Sequence, residues 1–407
     1  MNKKFIVMAA FAAVFGMSFT ACSNNDDDLS LAGGGSPVSG ETRSIGFDVK
    51  SDGNAHVTRG YATNATNALE QIADFQTWAY DAVVGGIYMG TSASAGRTVS
   101  NSGTALAPVW SYTPQQFWPV NALNFVAITP NSPNGVTANA VAQDGTSKDI
   151  TLTSSVTLST NVEDQDDIMF AEKDGITKAT ADGDVPFVFK HALSQIVFKG
   201  KLPTSGAVTK VTIAEITLGN IGKTGDLTFT SKGAFFGGTN AYIATTANDN
   251  FTLDAGDLEA SVWDDEATGL NNATAGTAFD LTVSNNATKK NAWFMLPQRS
   301  AKWAWAADEN NPTADELAKL KAGGMATAPA TGAYLKIRAQ LEKDGVVILG
   351  NTASDAIYIP LDANWDRSKK YIYTIEFNGT SALTPITFSV TAQDWTDADP
   401  QPGEISM

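Results

Sequence analysis

Apolar residues in this chain recur at every second position and seldom at the spacing of a helix. Ile45, Phe47 and Val49 alternate with Gly46, Asp48 and Lys50, and Leu335, Ile337 and Ala339 alternate with Tyr334, Lys336 and Arg338. Tyr371 to Phe377 repeats the pattern. Successive side chains of a strand point to opposite faces, so this period predicts strands with one buried face. Turn formers punctuate the runs: Ser51-Asp52-Gly53-Asn54, Gly85-Gly86, Asp344-Gly345 and Asn378-Gly379. A single stretch reads as a convincing helix, Thr313 to Ala322, with an N-terminal Thr and Asp315-Glu316 in its first turn. The expectation is an all-β chain with few short helices.

Further strands are expected at Phe75 to Tyr80, Ile87 to Met89, Ile150 to Leu152, Val156 to Leu158, Val211 to Leu218, Leu227 to Thr230 and Val346 to Leu349. Ala122 to Ile128 is apolar at almost every position, as a central strand buried on both faces should be. Ile386, Phe388 and Val390 mark a last strand before Trp395. Residues 91–105 are rich in Ser, Thr, Gly and Ala and read as a loop. In Pro186 to Gly200 the alternation slips phase near Ser194, which marks the junction of two halves.

Of 407 residues, 43% are hydrophobic and 17% charged, enough apolar material for a sizeable core. A net charge of −16 leaves no basic stripe for phosphate, which argues against a nucleic-acid partner. One cysteine, Cys22, allows no internal disulfide, no Cys-rich metal site and no redox pair. The core must therefore hold the fold alone.

Catalysis finds little support. The two histidines, His56 and His191, are far apart, and no HExxH, GxSxG or Cys–His arrangement exists. Gly222-Lys223-Thr224 ends like a phosphate loop, but Thr217 stands where the first glycine is required. His191 lies in an apolar run and reads as a core histidine. The acidic run Glu163 to Asp167 offers oxygen ligands for calcium but lacks the spacing and glycine of a calcium loop, so a solvated loop is favoured. No catalytic residue, metal or cofactor is expected.

The N-terminus carries Lys3 and Lys4 and then an apolar run to Phe19, too short to span a membrane comfortably. Phe19-Thr20-Ala21-Cys22 resembles the lipobox of bacterial lipoproteins, with Phe19 in place of the usual Leu. That resemblance implies a signal peptide over residues 1–21 and acyl chains, palmitate among them, on Cys22. Several acyl chains on one residue anchor firmly in a membrane. Residues 22–43 form a tether with Asp26-Asp27-Asp28 and Gly33-Gly34-Gly35. The acidic run resembles the surface-export signal of Bacteroidota lipoproteins, and a solvated linker explains it equally well by charge alone.

Several stretches occur in a telling order. Thr58-Arg59-Gly60 precedes the aromatic strand at Phe75, and Ile168-Met169-Phe170-Ala171 follows the acidic loop. Then come Phe189 to Ile196, Met295-Leu296-Pro297-Gln298, Tyr371 to Phe377, and Val390 to Trp395. This order resembles the Bacteroidota fimbrillin family of major and accessory fimbrial lipoproteins. The resemblance implies two transthyretin-like β-sandwich domains in tandem, over residues 44–188 and 189–407. It also implies a pilin of the cell outer membrane and surface fimbrium, supporting cell adhesion. A trypsin-like, Arg-specific protease would cut the chain and remove the strand holding Ile45, Phe47 and Val49. Donor-strand exchange with other subunits would then build the polymer. Arg59 is the best scissile residue because the strand lies before it; Arg43 is the competitor, and a cut there leaves the strand in place.

A second reading is a tip adhesin or surface glycan-binding lipoprotein that does not polymerise and meets a host protein or glycan. Trp303 and Trp305, two apart, would share one face of a strand as a sugar platform, and Trp110 and Trp118 offer another. Aromatic packing in a sandwich core explains the same residues.

Overall fold

The computed structural model describes residues 43–51, 72–103, 108–181, 183–202, 208–231, 243–258, 262–264, 278–282, 292–304, 306–307, 313–319, 329–350, 356–377 and 387–394. In chain order the strands are β1 (Gly46–Ser51), β2 (Asp74–Asp81), β3 (Ile87–Met89), β4 (Arg97–Asn101), β5 (Trp110–Ser111), β6 (Leu123–Thr129), β7 (Val136–Gln143) and β8 (Ile150–Thr157). Next are β9 (Met169–Ile176), β10 (Asp184–His191), β11 (Ser194–Lys201), β12 (Lys210–Thr230), β13 (Thr245–Asp254), β14 (Val262–Asp264), β15 (Ala278–Asp280), β16 (Trp293–Met295) and β17 (Gln298–Ser300). The short helix α1 (Ala314–Lys319) precedes β18 (Tyr334–Lys343), β19 (Val346–Leu349), β20 (Ala356–Pro360), β21 (Ala363–Trp365), β22 (Lys369–Glu376) and β23 (Thr387–Asp394).

The architecture is all-β, as the period-two pattern predicts. The first sheet runs β1-β10-β9-β6-β2-β4-β5, with β3 on β2. A second runs β15-β11-β22-β23 with β16 on β11, and a third runs β19-β18-β12-β8-β7 with β13 and β14 on β12 and β20 on β18. β17 and β21 form a small ribbon. The β7–β8 hairpin joins the third sheet through β12, so strands from both sides of residue 188 share hydrogen bonds. Residues 44–407 belong to one contact unit.

The first sheet is buried on both faces. Phe75, Ala79, Phe125 and Ala127 point into one core with Phe187 and Phe189. Trp78, Tyr80, Val126 and Ile128 point into the other, which fills the space between the remaining sheets. This is why β6 is buried along its whole length and reads as an unbroken apolar run.

The hairpin at Asp344-Gly345 forms as expected. Both residues have positive φ, 49° and 77°, the conformation that matches the twist of paired strands and that glycine adopts without a steric penalty. The helix is capped as its sequence suggests. Glu316 N–H bonds the Thr313 hydroxyl, while the Glu316 carboxylate accepts from the Thr313 N–H at 2.8 Å.

Four details differ from the sequence reading. Residues 91–105 contain a strand, β4, whose buried Val99 sits among polar neighbours too short of apolar residues to signal it. Val211 to Leu218 and Leu227 to Thr230 are parts of one long strand, β12. Gly219, and Asn220 at φ 56°, absorb the irregularity between them, so the chain shifts register without leaving the sheet. β7 and β13 hold few large apolar residues, Val136 and Val141 in one and Phe251 and Leu253 in the other, and show no clear period. The acidic loop is also not wholly solvated, because Asp167 is buried.

Candidate functional site: the seam strand and its groove

β1 occupies one end of the first sheet, and the curl of that sheet brings the other end close to it. On one side β1 pairs in parallel with β10, from Gly46 opposite Asp184 to Ser51 opposite Phe189. On the other side the segment after β5 meets it. Ile45 N–H donates to the Gln116 carbonyl at 2.8 Å, the Tyr112 hydroxyl donates to the Ile45 carbonyl at 2.8 Å, and Ser44 bridges Phe117. β1 therefore closes a seam between two edges of one curled sheet.

Alternation decides which residues do the sealing. Ile45, Phe47 and Val49 are all at least nine-tenths buried, whereas Asp48 and Lys50 face solvent and pair with each other at 3.1 Å. A pair so exposed adds little stability. Phe47 is the centre of the seal. Its ring stacks on Phe187 at 5.7 Å and meets the edges of Phe75 at 5.2 Å and Tyr112 at 5.7 Å. A Cβ at Gly46 would meet the Asp184 carboxylate, an exposed side chain that would have to turn aside.

Burying one Val, Ile or Phe side chain contributes about 1.5–3 kcal/mol, so the three together contribute roughly 5–9 kcal/mol. Whole domains are stable by only about 5–15 kcal/mol. Without β1 this sheet would expose Phe75, Phe187 and the outer edge of β10.

Tyr112 is the residue that sequence reasoning missed. Burial pushes its hydroxyl above the usual phenol range, against the opposing Gln116 N–H and Arg97 charge, so it stays a donor to Ile45. The available signal was the cluster Trp110, Tyr112, Phe117 and Trp118 around two prolines. That cluster is the far wall of the groove, with Trp110, Tyr112 and Trp118 packed on the same core as Phe47.

The remaining sequence candidates divide clearly. Arg43 is exposed immediately before the seam strand. Cys22, Arg59 and Trp305 lie outside the described residues. Trp303 is 8% exposed and packs with Tyr334 and Tyr358, so it presents no open face to a sugar ring. His191 is fully buried and bonds Asp167 at 2.7 Å, a core contact that fastens the end of β10 to the acidic loop. Asp166 accepts from the Asn134 N–H, and Asp164 from the Asn161 side chain. Among the described residues no cluster of His, Cys, Asp or Glu is arranged to hold a metal ion.

These features define an all-β protein whose first strand closes one wall of its own core. The sequence profile of the Fimbrillin-like family matches residues 58–395, and the chain belongs to that family. It is accordingly a fimbrial cell-surface protein, structural rather than enzymatic, whose partners include other fimbrial subunits. Among solved structures, a fimbrial protein from Bacteroides vulgatus ATCC 8482 has a TM-score of 0.54 and 18% identity, covering 87% of this chain and 100% of its own. That likeness shows the fold. A candidate cell adhesion protein from Bacteroides uniformis ATCC 8492 has a TM-score of 0.44 and 14% identity, covering 89% of this chain and 100% of its own. Comparison with curated proteins gives no match.

Proposed function

We propose that this chain is a polymerising fimbrial subunit, exported as a lipoprotein acylated at Cys22 and held in the outer membrane until it is cut. An Arg-specific, trypsin-like protease cuts after Arg59, with Arg43 the alternative, and the severed β1 leaves its groove. A strand of a neighbouring subunit then fills it. Residues 44–188 and 189–407 are the two β-sandwich domains of this reading, the β7–β8 hairpin of the first completing a sheet of the second. The observation that carries the proposal is the burial of Ile45, Phe47 and Val49 in a seam at the end of a sheet. Arg59 falls between β1 and β2, so a single cut there severs the seam strand from the rest of the core.

The chain also contains a matching strand. Ile386-Thr387-Phe388-Ser389-Val390 repeats the Ile-x-Phe-x-Val order of Ile45 to Val49. Its residues 387–390 open β23, an edge strand that pairs only with β22 among the described strands. Entering in the direction of β1, it would set Ile386, Phe388 and Val390 where Ile45, Phe47 and Val49 now sit.

Limited trypsin digestion of the Cys22→Ser chain, followed by N-terminal sequencing and gels of unboiled samples, tests this. A product starting at Gly60 with an SDS-resistant ladder is expected. Resistance at Arg59 in a chain that stays monomeric would overturn it.

A further inference from the structure

The point where the chain enters the groove is flanked by an exposed apolar rim. The β2–β3 turn contributes Val83 and Val84, the start of β3 contributes Ile87, and the segment beyond β5 contributes Phe117 and Val120. Val84 is 72% exposed and Val120 fully so. Isolated exposed apolar residues are ordinary; five gathered on two adjoining segments are not.

The rim is held in place. Asp81 accepts the N–H groups of Val83 and Val84 at 2.8 Å and the Asn121 side chain at 2.9 Å. The Tyr88 hydroxyl donates to the Phe117 carbonyl at 2.5 Å, and Ala82 N–H to the Ala122 carbonyl at 2.9 Å. The two segments are thus one surface.

Its position names its occupant. Ser44 bridges Phe117, so the chain crosses the rim two residues before β1 begins. Any strand that fills the groove in β1's direction is preceded by residues leaving over that same edge. For a donor strand near the end of a chain, those residues lead back into the body of the donating subunit. Charge agrees with this. Each copy carries a net −16, so two copies repel, yet residues 81–88 and 117–122 hold one charged side chain, Asp81. Its carboxylate already accepts three N–H donors within the rim.

We infer that Val83, Val84, Ile87, Phe117 and Val120 form the docking face for the body of a second copy of this chain, the copy whose strand fills the groove. The inference rests on the strand-exchange reading above and adds the contact that fixes the angle and rate of addition.

The test uses the full Cys22→Ser chain, clipped by trypsin, beside the same chain with Val84→Asp and Val120→Asp. Both positions are open to solvent, so folding is preserved. The double variant should take up a synthetic peptide of residues 45–51 at the normal rate but form the SDS-resistant ladder at least tenfold more slowly. A ladder at the normal rate overturns the rim alone and leaves strand exchange standing. A clipped wild type that takes up peptide yet never forms a ladder overturns both. Independently of folding effects, Val120→Cys in the Cys22→Ser chain provides a single thiol for a benzophenone crosslinker. Crosslinks between successive subunits of the ladder are expected. Crosslinks confined within one chain, or to an unrelated protein only, would overturn the inference.

Discussion

The Tyr112 hydroxyl reaches across the seam to the Ile45 carbonyl at 2.8 Å, so the first strand is held from both sides. Tyr112→Phe removes that donor and leaves the ring in place. The expected cost is about 0.5–1.5 kcal/mol, the net value of one such bond, with faster exchange of β1 for added peptide. The bond also has a pH signature. Burial raises the folded pKa of Tyr112 above its unfolded value. Its stabilisation is then complete below about pH 10, the ordinary phenol value, and is lost as pH rises through the folded value. Denaturant midpoints measured from pH 8 to 11 should fall in the native chain and fall less in Tyr112→Phe.

Phe47→Ala tests the centre of the seal. Deleting a buried phenyl ring costs about 3–5 kcal/mol, and here the loss concentrates in one strand. The uncut chain should expose its β1–β10 amides to hydrogen exchange sooner than those of β6, which is flanked by β2 and β9. Protection lost equally in β1 and β6 would mean that β1 does not open by itself.

The strands that could be read from sequence are those in which a single core face imposes strict alternation, such as β1, β18 and β22. β4, β7 and β13 escaped because few of their side chains reach a core and most face solvent, which leaves no period to detect. β12 reads as two strands, Val211 to Leu218 and Leu227 to Thr230, because Gly219 to Asp226 breaks the apolar run, and pairing with β13, β18 and β8 keeps that segment extended. At the site, Ile45, Phe47 and Val49 were legible because alternation is local. Tyr112 was not, because its role depends on the sheet curling until β5 approaches β1, a long-range event with no local pattern.

Asp167 and His191 make the buried polar contact that joins the acidic loop to the end of β10. Asp167→Ala leaves the imidazole without that acceptor, at a cost of about 1–3 kcal/mol. Thermal unfolding should shift down by several degrees. Added calcium should change neither the native chain nor the variant, since the carboxylates of Asp166, Asp164 and Asp167 already serve Asn134, Asn161 and His191.

Glu215 predicts the acid limb of stability. Burial pushes its carboxyl up, but bonds from Lys336 at 2.6 Å, Thr217 at 2.7 Å and Arg338 at 2.9 Å outweigh that and hold it below the usual carboxylate value. A lowered folded pKa means that the unfolded chain takes up protons first. The contribution is therefore present above about pH 4.3, the unperturbed value, and lost as pH falls through the folded value. Glu215→Gln should cost about 1–2 kcal/mol at pH 7 and show a shallower loss of stability between pH 5 and pH 3.

The last prediction concerns the paired strands. If β23 supplies the donor, a peptide of residues 386–392 should enter the groove of the clipped chain in competition with a peptide of residues 45–51. Phe388 carries the test because Phe47, its counterpart, meets three rings at 5.2 to 5.7 Å. Replacing Phe388 by Asp in the peptide would drive a carboxylate among the rings of Phe75, Phe187 and Tyr112. Burying an unpaired charge costs far more than one hydrogen bond returns, so uptake should drop below detection while Ser389→Ala peptide enters normally. Equal uptake of the Phe388→Asp and native peptides would mean that side-chain fit plays no part and that backbone pairing along β10 alone recruits the strand. The alternating pattern shared by β1 and β23 would then be ordinary strand chemistry rather than a matched donor and groove.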